Sequence, residues 1–212
     1  MTIKLHLFPP SPRAFKVLLA AHHLDINYQL KVINLRAGDQ RTSQFTALNA
    51  NRRVPVLEED GYVLWESNAI LEYLSVCKPR IGLIPTEVRP RLQVTKWLYW
   101  ESAHWDQAAA IFIVERVVKP LFNLGPPSEG EIERGTKLMA RIAPVLEAEL
   151  QAHRYIHGDT MTAADLAIAA PFCHAENAGF PLEPYSAILR WITDMKSLPA
   201  WRKTVELQRA YA

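Results

Sequence analysis

The stretch RRVPVLEEDGYVLWESNAI, residues 52–70, reads as strand, turn, strand and helix start in one short run. Asp60-Gly61 between the apolar segments VPVLEE and YVLW is a hairpin turn, because that pair accepts the positive φ a tight connection needs. Pro55 stands just inside the first of these strands, although proline cannot donate to a sheet ladder. Two readings follow. Proline is tolerated at a strand's first residue, or the Val54-Pro55 bond is cis, which turns the N–H and C=O of Val54 away from the ladder and toward an extended peptide. Glu66-Ser67 has two readings as well. Ser67 caps the helix, or its hydroxyl and amide hold a carboxylate at the positive helix end while Glu66 draws an ammonium. In the second reading the pair matches the α-amino-acid end of a ligand.

Upstream, IKLHLF alternates with Ile3, Leu5 and Leu7 on one face, the period of a half-buried strand. Ala14, Val17, Leu18 and Ala21 follow helical spacing, and YQLKVIN alternates again. A short helix is expected near Ser43–Leu48, and SNAILEYLSV is amphipathic. The order βαβ followed by ββα gives a small mixed sheet with helices on its faces. KPRIGLIPTE, rich in proline and without periodicity, breaks the pattern. Beyond it only helical patterns occur: a long, kinked one through VRPRLQVTKWLYWESAHWDQAAAIFIVERVVKPLF, another over Ile132–His153, a third after HGDTMTAAD and a fourth over Tyr185–Met195. The expected organisation is an α/β domain over 1–78, a linker over 79–87 and an all-helical domain over 88–212.

Composition narrows the function. The chain has 24 basic and 22 acidic residues, a net charge of +2. That balance argues against a nucleic-acid or membrane-surface binder. Cys77 and Cys173 are distant and form no CxxC, which excludes a disulfide framework or cysteine-rich metal site and fits a reducing, cytoplasmic setting. No stretch has the length and apolarity of a signal or membrane segment.

Ser11, in FPPSPRAFKV, lies between the first strand and first helix. Its simplest role is a cap, yet this turn sits at the carboxyl end of a strand, where ligands of open α/β sheets gather. A hydroxyl there can donate to an anion. No histidine is placed by sequence to serve as its base, so a hydrolase triad has little support. Farther on, Trp97, Trp100, His104, Trp105 and Phe112 recur on a helical face. Core packing accounts for most of them; His104, Trp105 and Phe112 are the candidates to line an apolar cavity.

Taken together, these segments resemble the cytosolic glutathione transferases over essentially the whole length, with a thioredoxin-like N-terminal domain and an all-α C-terminal one. SPRAFKV is similar to the active-site segment of the serine-type classes, bacterial forms included, with a basic residue, Lys16, and Val17 five and six positions after the serine. AGDQRTSQFTALNANRRVPVL resembles the approach to the family's cis-proline, and ESNAILEYL its γ-glutamyl-binding motif. GDTMTAADLAIA matches the capping box of the helical domain, Thr162 with Asp165 three residues on. The four motifs occur in order. Two departures stand out. NANRRVP has Ala50 and Arg52 where the family often has proline and glycine, and the Ser11 position has no cysteine, unlike the classes that form a mixed disulfide.

The resemblance implies glutathione as co-substrate and no metal. It makes Ser11 the donor to the glutathione sulfur, favouring the thiolate. Val54, before Pro55, pairs with the cysteinyl part; Glu66 and Ser67 hold the γ-glutamyl end; Arg53, Gln40 and Arg41 approach the rest of the peptide. Thr162 and Asp165 are structural. The expected activity is attack of the thiolate on a small hydrophobic electrophile, or reduction of a peroxide, by a cytoplasmic homodimer without nucleic-acid or membrane partners. A glutathione-binding protein with little turnover, and a glutathione-dependent ether or disulfide reductase, are the alternatives; dependence of turnover on the Ser11 hydroxyl separates a catalyst from a carrier.

Overall fold

The computed structural model describes residues 2–211. The chain divides into two units: one runs to Gly82 and regains the chain from Leu198 onward, and the other spans Leu83–Ser197. In the first unit the elements are β1 (Ile3–Leu7), α1 (Pro12–His23), β2 (Tyr28–Val32), α2 (Ser43–Leu48), β3 (Val56–Glu59), β4 (Tyr62–Trp65) and α3 (Ser67–Cys77). The sheet order is β2-β1-β3-β4. Strand β1 is parallel to β2 and antiparallel to β3, and β4 is antiparallel to β3.

The alternation in β1 is realised directly. Ile3, Leu5 and Leu7 are buried, while Lys4 and His6 point to the other face and meet Glu58 at 2.7 and 3.0 Å. Those two partners, Lys4 first, hold the Glu58 carboxyl below its ordinary range. Pro12 opens α1, where a missing N–H costs nothing and φ is already helical, and Ala14, Phe15, Val17, Leu18 and Ala21 bury its apolar face. At the hairpin, Asp60 and Gly61 both have positive φ, 47° and 85°, the combination an Asp-Gly turn supplies most readily. Helix α3 packs beside α1 and buries Ile70, Leu71 and Leu74.

No strand occurs among the described residues of the second unit. What reads in sequence as one kinked helix is α4 (Val88–Trp100), a π-helical turn over Glu101–Trp105, α5 (Asp106–Ile113), a second π-helical turn over Val114–Val118, and α6 (Lys119–Phe122). The remaining helices are α7 (Glu129–Ala152), α8 (Ala163–Ala169), α9 (Ala175–Ala178) and α10 (Ser186–Ser197). Gly135 of α7 lets that helix approach α5 closely: a Cβ there would meet Ile111 Cγ2 at 3.0 Å and Phe112 Cε2 at 3.1 Å. Glu147 of α7 caps α10 from a distance, accepting the Ala187 and Ile188 N–H groups at 3.0 and 2.9 Å.

Thr162 and Asp165 form the expected capping box at α8, and Asp165 does more than cap. Fully buried, its carboxylate accepts from the Ile156 N–H, the Trp191 indole N–H, the Thr162 N–H and the Thr162 hydroxyl at 3.0, 3.0, 2.8 and 3.2 Å. Burial pushes its pKa above the ordinary carboxylate value, and the four donors oppose that. No helix among the described residues is long and apolar enough to cross a membrane.

The division of the chain differs from the sequence reading at both ends of the helical unit. Its start, Leu83, falls inside the expected linker, because Leu83 and Ile84 are buried. Its end is earlier than 212: α11 (Pro199–Arg209), a helix the sequence reading did not single out, belongs to the first unit. Trp201 sets its ring edge-on against Phe15 of α1 at 4.8 Å. Thr204 donates to the Ala200 carbonyl at 2.7 Å, so it accepts from His22 Nδ1 at 2.8 Å. The other ring nitrogen of His22 then accepts from the Tyr28 hydroxyl at 2.8 Å. Burial, followed by the charge of Lys203, lowers the pKa of this neutral imidazole to about 4, and burial raises that of Tyr28 to about 12.

Candidate active site

The strand register brings the N-terminal candidates to one end of the sheet. His6, near the end of β1, lies opposite Val56 at the start of β3, which lies opposite Trp65 at the end of β4. Ser11 follows β1, Val54 and Pro55 precede β3, and Glu66 and Ser67 follow β4, so all three segments leave the sheet at that edge. The Val54-Pro55 bond is cis, and the β1–β3 pairing begins only at Val56, leaving Val54 outside the ladder.

Ser11 holds the N-cap position of α1. Its N–H donates to the Phe8 carbonyl and its carbonyl accepts from the Phe15 N–H, each at 2.8 Å. Its side chain makes no cap hydrogen bond, so the hydroxyl is not consumed by the helix it starts. At α3 the cap position belongs to Glu66, with φ 73°, and its side chain does not cap either. Ser67 is the first helical residue, not the cap, which removes the simpler of its two readings. Its hydroxyl accepts instead from the buried ammonium of Lys16 at 3.2 Å, and the same ammonium donates to Asn68 Oδ1 at 2.7 Å.

Gln40 sits in the 3₁₀ turn Asp39–Arg41, and its Oε1 is buried without a hydrogen-bond partner. Arg41 and Arg53 are exposed. In the helical unit the expectation for the electrophile side needs correction. Trp105 and Phe112 are each only 1% exposed. The Trp105 indole donates to the Ile168 carbonyl at 3.0 Å and its ring packs near Phe172, so both aromatics are core and neither offers a face to a ligand. His104 is exposed, with its ring 6.3 Å from that of Trp100.

Two family models match the chain: "Glutathione S-transferase, N-terminal domain" over residues 1–76 and "Glutathione S-transferase, C-terminal domain" over 106–199. Glutathione S-transferase D7 of Anopheles gambiae is 32% identical over 92% of this chain and 87% of its own. The chain belongs to the glutathione S-transferase family. A glutathione S-transferase of Hyoscyamus muticus is 27% identical over 99% of this chain and 100% of its own. Among solved structures, glutathione transferase F7 of Populus trichocarpa superposes with a TM-score of 0.89 at 25% identity, covering 97% of this chain and 98% of that one. A glutathione S-transferase of Pseudomonas fluorescens gives 0.84 at 29% identity, covering 94% and 97%.

The loop NANRRVP departs from the transferase pattern at Ala50 and Arg52. Arg52 has φ 56° where glycine is often found, a left-handed conformation that disfavours a side chain. Asn49 stabilises the loop, donating to the Arg53 carbonyl at 2.8 Å and accepting from the Asn51 N–H at 3.0 Å. Sequence reading assigned no role to Lys16 or Asn68 at this transferase site. One signal was present: Lys16 sits on α1 beside Val17 and Leu18, and a lysine with apolar neighbours needs polar partners when buried.

Proposed function

We propose that the protein is a glutathione transferase that binds glutathione along the sheet edge and activates its thiol for attack on a small hydrophobic electrophile. The Ser11 hydroxyl carries this reading, because it starts α1 without being used as its cap. It donates to the glutathione sulfur and favours the thiolate, which is the nucleophile. The thiolate then forms a carbon–sulfur bond as the leaving group departs with its electron pair. Val54, held outside the ladder, pairs its backbone with the cysteinyl part of the peptide. The first-turn N–H groups of α3, with Ser67, receive the γ-glutamyl carboxylate, and Glu66 receives its ammonium. Gln40 and Arg41 attend the glycine carboxylate, Arg53 reaches the peptide, and the exposed His104 is the remaining electrophile-side candidate. The working form is a homodimer in the cytoplasm, where a reduced glutathione pool supplies the co-substrate.

The test is to titrate glutathione and then follow its conjugation to an activated aromatic halide in the wild type and in Ser11→Ala. Glutathione should still bind to Ser11→Ala while kcat falls on the order of 10²-fold, the usual effect of losing one donor to a developing anion. Full activity in Ser11→Ala rules out the hydroxyl as the sulfur donor. Tight binding without turnover on a panel of electrophiles and peroxides makes the protein a carrier.

A further inference from the structure

Lys16 is 3% exposed and reaches from α1 to the first turn of α3, with its Nζ 3.2 Å from Ser67 Oγ and 2.7 Å from Asn68 Oδ1. An ammonium has three protons and no lone pair. Ser67 must therefore accept from it, and the hydroxyl proton of Ser67 is turned away from Lys16. A serine at the first helical position usually has another choice, bonding back to nearby backbone; here one lone pair of its oxygen is already committed.

The first turn of a helix carries partial positive charge and favours anions. Lys16 adds to that bias toward a carboxylate by aiming the Ser67 proton outward.

We infer that Lys16 is a positioning residue for the γ-glutamyl carboxylate, acting through the Ser67 hydroxyl and not by touching the sulfur. This rests on the glutathione reading given above. It goes beyond that reading by dividing the site: Ser11 controls the reactivity of the thiol, and the Lys16–Ser67 pair controls capture of the amino-acid head. Both residues belong to one helix, Ser11 at the N-cap position of α1 and Lys16 within its second turn.

The experiment compares glutathione with γ-aminobutyryl-cysteinylglycine, which has the same thiol and lacks only the α-carboxylate of the γ-glutamyl group. Wild type, Lys16→Met, Ser67→Ala and the double variant are measured for KM, kcat and dissociation constant with each peptide. Both single variants should raise KM for glutathione about tenfold, the worth of a hydrogen bond to a charged group, with kcat within about twofold. Their affinity for the decarboxylated peptide should match that of the wild type, and the double variant should lose little more than either single one. Equal losses with both peptides, or losses that add in the double variant, overturn the inference. Ser67→Ala removes one small atom, so it keeps the proposal falsifiable if Lys16→Met fails to fold. Failure of wild-type protein to bind glutathione would overturn the parent reading and with it this one, whereas binding without selectivity in the variants would overturn only the role of Lys16.

Discussion

Replacing Asp165 with alanine removes the acceptor for four donors inside the helical unit. Three of them have nowhere else to turn: the N–H groups of Ile156 and Thr162 and the indole N–H of Trp191, all on residues at most 2% exposed. The Thr162 hydroxyl can rotate to a new partner. A buried donor left unpaired costs about 1–3 kcal/mol. Part of that is returned, because the buried carboxyl, whose pKa burial raises, no longer has to be desolvated. The net expectation for Asp165→Ala is a loss of about 3–5 kcal/mol, within the range reserved for broken buried networks. Urea unfolding of the purified protein, followed by tryptophan fluorescence with helix content as a second probe, measures it. Asp165→Asn makes the reasoning sharper. Its carbonyl can still serve Ile156 and Trp191, but its amide opposes the Thr162 N–H, so the loss should be smaller and centred on the start of α8. A loss below about 1 kcal/mol for the alanine variant would refute the network argument, and so would an asparagine variant as stable as the wild type.

Two further outcomes follow from packing and protonation. His22 is neutral in the fold with a pKa near 4, against 6.5 when free. Because the folded value is the lower one, its contribution is complete above about pH 6.5 and is lost as pH falls toward 4, when the unfolded chain takes the proton and the folded chain does not. The stability difference between wild type and His22→Gln should therefore shrink between pH 7 and pH 4.5, as measured by urea midpoints. A Cβ at Gly135 would press on Ile111 and Phe112 at 3.0 and 3.1 Å; Gly135→Ala should cost about 1–3 kcal/mol by overpacking, seen as a lower thermal midpoint with the fold retained.

Much of the first unit was legible because its signals are local. Alternation in residues 3–7, the Asp60-Gly61 turn and the apolar spacing of α1 each depend on neighbours a few positions away, and each appears in place. The sheet edge that gathers Ser11, Val54 and Ser67 follows from the same strand order. What the sequence hid is contact between distant segments. Trp105 and Phe112 fit an aromatic stripe equally well as lining or as core, and the π-helical turn at Glu101–Trp105 shifts the phase on which such a stripe is counted. Lys16 looks like any helical lysine until α3 supplies Ser67 and Asn68 from fifty-one and fifty-two residues away. Helix α11 shows apolar and small residues at Ala200, Trp201 and Thr204, but nothing in that pattern says that Phe15 and His22 are the partners.

The return of α11 to α1 gives the chain an order of completion that runs against its order of domains. The helical unit has all its residues once Ser197 has been made, while the first unit still lacks the helix that covers Phe15 and accepts a hydrogen bond from His22. On the ribosome, the first unit can be completed only after every residue of the helical unit has been made. A fragment cut at Gly82 would also carry an uncovered apolar face on the very helix that bears Ser11 and Lys16. The first unit is continuous neither in sequence nor in synthesis, and its helix α11 is made only after the whole helical unit.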